Sequence, residues 1–189
     1  MKKIAVLFSG TGTNFEYLAK KLPKYGVKIE VALTNNPEAK GIEIAKRFNI
    51  PLEIVNSKAF KSREEFDKEV VKRLKQYSFD LVVLAGFMRI LTPVFVDSFK
   101  AINLHPSLLP RHKGLNAIEK SYKDEFKDGG VSVHFVNNKL DSGELILQKS
   151  IQKDSLTFEK YYNKIRSIEK EALLEAILEV LGISKSSSS

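Results

Sequence analysis

The side chains of Asn103 and His105 stand two residues apart in the run Asn-Leu-His-Pro-Ser-Leu-Leu-Pro at residues 103–110. On an extended chain they project to the same side, and the two prolines that follow stiffen the loop after them. An amide donor beside an imidazole suits a reaction in which an oxyanion forms while a proton moves. Spacing alone leaves open whether this pair is catalytic or structural.

The other ionisable residues of interest carry weaker signals. His112 lies between Arg111 and Lys113, which is typical of a solvated loop, and His134 lies in an apolar segment that favours a packed or hydrogen-bonded core histidine. Asp141 by itself is an ordinary loop acid. The chain has no cysteine and no His-x-x-x-His spacing. It therefore predicts no metal site, no disulfide and no thiol catalysis.

A second group of chemical interest is the loop Ser-Gly-Thr-Gly-Thr-Asn at residues 9–14. Its glycines let the backbone approach a ligand, and unpaired N–H groups at a helix start attract an anion. The hydroxyls of Ser9, Thr11 and Thr13 add donors. Phe15 replaces the third glycine of a dinucleotide-binding loop, and the Gly-Lys-Ser/Thr of an ATP phosphate loop is absent. The loop predicts a phosphate-monoester site, with a tight turn that binds no ligand as the alternative.

The elements that must position these residues alternate in the first half of the chain. Continuous apolar runs predict buried strands, and apolar stripes at helical spacing predict the helices between them. This order is typical of a parallel sheet with helices on both faces. The predicted strands are 4–8, 29–33, 52–55 and 81–85, and the predicted helices are 15–22, 38–48 and one opened by the capping box at 62–65.

The second half changes character, because two strands are joined there by a loop and not by a helix. The fold class predicted is α/β, a doubly wound, mainly parallel sheet with an antiparallel excursion near the carboxy terminus. We expect one domain over residues 1–183, a disordered serine-rich tail at 184–189, and a ligand crevice outside the carboxyl ends of the strands. The predicted elements are a strand at 101–104, a helix at 116–126, a turn at 128–130, strands at 131–136 and 145–151, and a helix at 158–180.

Charge and hydropathy narrow the class of partner. The net charge is +8, from 31 Lys and Arg against 23 Asp and Glu, and the two signs are interleaved without a long basic block. This favours small anionic ligands, with a nucleic-acid footprint as the alternative. No apolar run approaches the ~18 residues of a membrane helix, and the run at residues 4–8 is too short for a signal peptide. We expect a cytoplasmic protein.

Several motifs together resemble one enzyme family. The run at 103–110, the segment Val-His-Phe-Val at 133–136 and the segment Leu-Asp-Ser-Gly at 140–143 resemble the formyltransferases that use 10-formyltetrahydrofolate. The loop at 9–14 and the segment Ala-Gly-Phe-Met-Arg-Ile-Leu at 85–91 extend the resemblance. It implies the formyltransferase fold, and the glycine loop indicates glycinamide ribonucleotide, an intermediate of purine biosynthesis, as the formyl acceptor.

The resemblance also implies roles for individual residues. The catalytic residues are Asn103, His105 and Asp141. The residues for the ribonucleotide are Gly10, Thr11, Gly12, Thr13, Asn14, Pro106 and Glu169. The residues for the folate are Arg63, Met88, Arg89, Ile90, Leu91, Asn103, Asn137, Asn138, Lys139, Leu140 and Asp141. The sequence departs from the family at Lys113, where an aromatic residue is common, and on both sides of Glu169.

The mechanism implied is direct attack of the acceptor amine on the formyl carbon. Asn103 and a protonated His105 stabilise the resulting oxyanion, while Asp141 favours the charged imidazole and helps to move the amine proton, through water. No metal, nucleic acid or membrane takes part, and the protein is a monomer or homodimer. The alternatives are a formyltransferase or deformylase with methionyl-tRNA or water as acceptor, and a module that binds folate or nucleotide without turnover.

Overall fold

A computed structural model describes residues 1–185, so the last four residues of the predicted serine-rich tail lie outside the described residues. Within that range, strands form a sheet in the order β3-β2-β1-β4-β5-β6-β7. The strands are β1 (Lys2–Phe8), β2 (Val27–Thr34), β3 (Leu52–Ile54), β4 (Leu81–Leu84), β5 (Ala101–His105), β6 (Asp128–Phe135) and β7 (Leu145–Gln152). The helices are α1 (Thr13–Lys21), α2 (Ile42–Arg47), α3 (Arg63–Leu74), α4 (Pro93–Val96), α5 (Ala117–Lys123) and α6 (Phe158–Val180).

The sheet has an apolar core on each face. Alternate residues of β1 belong to different core clusters, with Ile4, Val6 and Phe8 on one face and Ala5 and Leu7 on the other. Side chains of α1, α2 and α6 fill the first face, and side chains of α3 and α4 fill the second. A strand buried on both faces has no polar side to present. This arrangement explains the continuous apolar runs and confirms the predicted doubly wound sheet.

The carboxy-terminal part of the sheet is antiparallel, as predicted. Strands β1 to β5 pair in parallel, whereas β6 pairs antiparallel with both β5 and β7. In this register Asn103 of β5 lies opposite His134 of β6. The pairing therefore brings the segment that carries His134 beside the Asn103–His105 pair.

Several predicted boundaries differ from the structure by one or two residues, and three predicted elements differ more, each for a local reason. Residues 128–130 form the start of β6 and not a turn, because Gly129 and Gly130 leave room for the Tyr161 ring and for the backbone of β7. The helix predicted at 38–48 shrinks to α2, since the backbone before it turns to bond Gly10. The helix predicted at 116–126 is shorter at both ends: it begins at residue 117, because Asn116 has a left-handed φ of 59°, and it ends at Lys123, after which Asp124 is extended.

The strand order changes direction between β1 and β4, which are neighbours in the sheet. From β1 the chain runs outward through β2 to β3, and from β4 it runs outward through β5. The connections after β1 and β4 therefore separate and open a crevice at the carboxyl ends of these strands. The glycine loop follows β1 and the segment 85–92 follows β4, so both lie at this crevice.

Candidate active site

The glycine loop is held in place by close packing against α2. Gly12 has a φ of 73°, and a Cβ atom there would lie 2.8 Å from Cα of Gly41 and 3.0 Å from Cδ1 of Ile44. The Gly41 N–H donates to the Gly10 carbonyl at 3.0 Å. No side chain caps α1, which begins at Thr13. The first N–H groups of this helix therefore remain available to an anion.

The loop lines a cavity of ≈ 220 Å³. Its hydroxyls do not all face a ligand, since Ser9 Oγ–H donates to Asn35 Oδ1 at 2.6 Å, and the same oxygen accepts the Met88 N–H at 2.7 Å. The donor role predicted for Ser9 is therefore wrong, whereas Thr11 and Thr13 are exposed. The cavity is lined by Ser9, Gly10, Thr11, Gly12, Thr13, Asn14, Ala85, Gly86, Met88 and Arg166.

Arg166 is the one cationic side chain among the residues that line this cavity, and the sequence analysis missed it. Its Nη2 donates to Thr13 Oγ1 at 3.3 Å, and its Nη1 donates to Glu169 Oε1 at 2.8 Å. Glu169 is only 2% exposed. Burial raises the pKa of Glu169 by more than the Arg166 charge and a hydrogen bond with Asn14 lower it. The i, i+3 spacing of Arg166 and Glu169 on α6 was the available signal.

The predicted catalytic residues come together at the end of β5. His105 and Asp141 are almost completely buried, and His105 Nδ1 lies 3.4 Å from Asp141 Oδ2. His105 Nε2 lies 2.8 Å from the carbonyl oxygen of His112. Each imidazole nitrogen thus faces an oxygen atom that can accept a hydrogen bond.

Asp141 lies between two imidazoles. Its Oδ1 is 3.7 Å from His134 Nε2, and its Oδ2 accepts the Gly114 N–H at 2.9 Å. Burial raises the pKa of Asp141, but the nearby His134 imidazole, the hydrogen bond from the Gly114 N–H and the charge of His105 outweigh it and leave the pKa below its usual range. His134 is buried and hydrogen-bonded as predicted, and it also faces the carboxylate.

His112 is not a freely solvated residue. Its Nε2 lies 2.7 Å from Asp124 Oδ2, and Asp124 also accepts a hydrogen bond from the buried Lys153 at 2.7 Å. The solvated loop predicted there is wrong, because Asp124 lies outside the local sequence pattern of His112. This contact anchors the residue whose backbone carbonyl faces His105.

A second cavity of ≈ 130 Å³ is lined by both Asn103 and Asp141. The predicted folate residues line it except Arg63, which is exposed at the start of α3, and Met88, which lines the glycine-loop cavity. Pro106 lines neither cavity. The lining residues are Leu84, Phe87, Arg89, Ile90, Leu91, Asn103, His134, Val136, Asn137, Asn138, Lys139, Leu140 and Asp141.

Among residues 1–185, no group of three or more His, Cys, Asp or Glu side chains is arranged to hold a metal ion. Among the described helices, none combines the length and the apolar character that a membrane crossing requires.

A family model described as formyl transferase matches residues 2–177. The chain belongs to the formyl transferase family. Among similar formyl transferases, the phosphoribosylglycinamide formyltransferase of Bacillus subtilis is 33% identical over 188 residues, which cover 97% of this chain and 96% of that protein. The crystal structure of phosphoribosylglycinamide formyltransferase from Campylobacter jejuni has a TM-score of 0.92 at 46% identity and covers 95% of this chain and 97% of that one.

Formyl transferase domains similar to this chain also occur within longer proteins. The human trifunctional purine biosynthetic protein adenosine-3 is 40% identical over 153 residues, which are 79% of this chain but 15% of that protein. The chain therefore spans only a small part of this relative. The comparisons confirm the family resemblance, and the sheet order together with the similar crystal structures confirms the predicted fold.

Proposed function

We propose that this protein transfers the formyl group of 10-formyltetrahydrofolate to the amine of glycinamide ribonucleotide, a step of purine biosynthesis. The observation that carries the proposal is a pair of cavities that share the segment 85–91 as a wall. One cavity has a glycine loop at a helix start, and the other is lined by Asn103 and Asp141 together with apolar, amide and cationic side chains. Relatives named for this activity match over almost their full length.

The glycine-loop cavity suits the ribonucleotide. Its phosphate would accept the backbone N–H groups at the start of α1 and a charge-assisted bond from Arg166. Glu169, held by Arg166 and close to Asn14, would accept hydrogen bonds from the ribose hydroxyls. The negative charge of Glu169 near the glycine loop would disfavour a bound phosphate if the positive charge of Arg166 did not neutralise it. Arg166 thus serves both the phosphate and the buried acid.

The second cavity suits the folate. Partly exposed apolar side chains, among them Ile90 and Leu140, would cover the flat rings of this ligand. Polar atoms of Asn137 and of the backbone at 89–91 would bond the edges of the pterin. The exposed Arg63 would face the carboxylates of the glutamyl tail. The formyl group would then lie near Asn103 and Asp141, which line the same cavity.

Asn103, His105 and Asp141 would provide the chemistry. The free amine attacks the formyl carbon, and the carbonyl oxygen becomes an oxyanion that the Asn103 amide and the His105 imidazolium stabilise. The proton leaves the amine nitrogen toward Asp141 through water and reaches N10 of the folate as the carbon–N10 bond breaks. Each donor to the oxyanion is worth about 3 kcal/mol in related chemistry. The lowered pKa of Asp141 keeps this carboxyl group ionised, as pairing with an imidazolium requires.

The decisive experiment measures transfer from 10-formyltetrahydrofolate to three acceptors under the same conditions. We expect efficient transfer to glycinamide ribonucleotide and little or none to water or methionyl-tRNA. Preferential hydrolysis would indicate a deformylase, and preferential transfer to the tRNA would indicate an RNA-directed enzyme of the same family. Binding of both ligands without turnover would leave only a binding module and would contradict the proposal.

The setting of the reaction follows from the same proposal. Small-molecule substrates of this kind are found in the cytoplasm, where we place the protein, and neither cavity requires a nucleic acid or a membrane. We propose that the protein is a monomer or a homodimer. Sedimentation at micromolar protein concentration would distinguish these two states.

A further inference from the structure

The segment 85–92 after β4 forms a wall of both cavities, although it contains no helix or strand. Gly86 and Met88 line the glycine-loop cavity, whereas residues 89–91 line the folate cavity. Irregular backbone lacks the ladder of hydrogen bonds that holds a strand in place. Its position must therefore come from contacts with other parts of the chain.

The first half of this segment is held by Ser9. The Ser9 N–H donates to the Gly86 carbonyl at 2.9 Å, and Ser9 Oγ accepts the Met88 N–H at 2.7 Å. These bonds connect the segment to the glycine loop. They do not reach residues 89–92, which need a different anchor.

The second half is held by Phe66 and Asp67, which are adjacent on α3. Asp67 Oδ2 accepts both the Thr92 N–H and the Thr92 Oγ–H, each at 2.7 Å. The Phe66 ring lies 4.8 Å from the Arg89 guanidinium, and it stacks on Phe87 with 6.5 Å between the ring centroids. Phe66 and Asp67 thus contact the segment at Phe87, Arg89 and Thr92, of which the first two line the folate cavity.

Asp67 is an unusual residue for a core position. It is 1% exposed, and Thr92 is 6% exposed. Burial raises the pKa of Asp67 against the hydrogen bonds from Thr92 and the charge of Arg89, which lower it. Among residues 1–185 its carboxylate forms no ion pair within 4 Å, so its hydrogen bonds connect it only to the segment. An apolar residue would pack in this helix at a lower desolvation cost.

We infer that Asp67 is a positioning residue of the folate site. By holding Thr92 it fixes the backbone at residues 89–91, while Ser9 independently fixes the part that faces the ribonucleotide. The inference rests on the proposed function for the identity of the ligand. It predicts that loss of Asp67 impairs folate binding and spares ribonucleotide binding, a division that a purely structural role would not produce.

The test compares steady-state kinetics of Asp67→Ala, Asp67→Asn and Val70→Ala. Val70 is fully buried in the same helix and the same core cluster, so Val70→Ala removes packing without removing a hydrogen bond. We expect Asp67→Ala to raise the folate KM roughly tenfold, with the ribonucleotide KM within about twofold of the wild type. Asp67→Asn keeps an acceptor for Thr92 and should recover most of the loss.

Thr92→Val provides a second route if Asp67→Ala does not fold, since it removes only the hydroxyl bond and should raise the folate KM by a smaller factor. Equal rises in both KM values, or the same folate effect in Val70→Ala at a similar loss of Tm, would overturn the inference. Direct titration with 10-formyltetrahydrofolate separates the two proposals. If the wild type binds folate but transfers nothing to the ribonucleotide, the proposed function fails while the folate affinity of the variants still tests Asp67.

Discussion

The two cavities are built in different ways. The glycine-loop cavity is formed by closely packed backbone, with Gly12 against Gly41 and with the Met88 N–H bonded to Ser9. At the second cavity, Ile90 is 48% exposed and Leu140 is 58% exposed. The first cavity is therefore shaped by backbone contacts, whereas the second presents apolar surface.

Under the proposed function, the glycine-loop cavity is the ribonucleotide side and the second cavity is the folate side. The difference between them follows from the ligand that each must recognise. Backbone N–H groups bind a phosphate only when the chain approaches it closely and without side chains in the way, so their positions must be fixed in advance. A flat ring system is held mainly by apolar contact, and apolar side chains adapt to its shape. We therefore expect substitutions on the ribonucleotide side to act through geometry, and those on the folate side through contact area.

The largest effect should come from substitutions of the proposed catalytic residues His105 and Asp141. Asp141→Asn should lower kcat by roughly 10²-fold or more and His105→Ala by at least as much, because each removes a group that takes part in proton transfer or charge stabilisation. If the pair acts as a unit, the double variant should be little worse than the worse single one. Rapid kinetics on the four proteins, with folding checked by circular dichroism, measures this. Near-normal turnover in Asp141→Asn would contradict the mechanism.

Gly12→Val should affect the KM values of the two substrates unequally. The added side chain meets Gly41 and Ile44 and must adopt a left-handed conformation, so we expect the ribonucleotide KM to rise by about tenfold or more and the folate KM to change little. Gly26→Val is the matched control. Gly26 has the same φ of 73°, but a Cβ there has nothing within 4 Å. A parallel rise in both KM values of Gly12→Val would show that the loop does not belong to the ribonucleotide.

A smaller effect is expected from Arg166→Gln, which tests whether the backbone loop needs a charge. Loss of a charge-assisted bond to a phosphate should raise the ribonucleotide KM several-fold to about tenfold. The difference from the wild type should shrink as salt is added, because mobile ions screen the exposed part of the interaction. Arg47→Gln is the control. Arg47 also forms an ion pair, with 3.0 Å between its Nη2 and Glu16 Oε2, and neither of these residues lines either cavity. A salt-independent loss would argue for a steric role of Arg166.

The smallest expected effect concerns the pH dependence of stability, in which the buried acids Asp141 and Glu169 should behave differently. The folded-state pKa of Asp141 is lowered, so its contribution to stability is present above the unfolded pKa and is lost as pH falls through the folded pKa. The folded-state pKa of Glu169 is raised, so its contribution is present below the unfolded pKa and is lost as pH rises through the folded pKa. Thermal unfolding from pH 3 to pH 7 should therefore show opposite pH trends when Asp141→Asn and Glu169→Gln are each compared with the wild type. The same trend in both variants would refute the contrast.

The sequence by itself determined the features that depend on neighbours along the chain. Apolar runs identified β1 and β4, because a strand buried on both faces has no polar alternation. The capping box was confirmed, since Ser62 Oγ accepts the Glu65 N–H at 3.1 Å. The strand predicted at 101–104 was confirmed, and it extends one residue further, so Asn103 and His105 both lie on β5. Family motifs then supplied Asp141, which no spacing rule connects to His105.

Only the tertiary structure decided which distant residues meet. Arg166 reaches Thr13 across 153 positions of sequence, and Asp67 reaches Thr92 across 25. The same applies to the Ser9 hydroxyl, which a local pattern assigned to a ligand and the fold assigns to Asn35 and Met88. Local propensity has a range of a few residues, whereas these contacts arise where separate strands and helices converge at the carboxyl edge of the sheet. Short-range periodicity carries no information about contacts between distant parts of the chain. The roles of such side chains therefore become visible only in the packed structure.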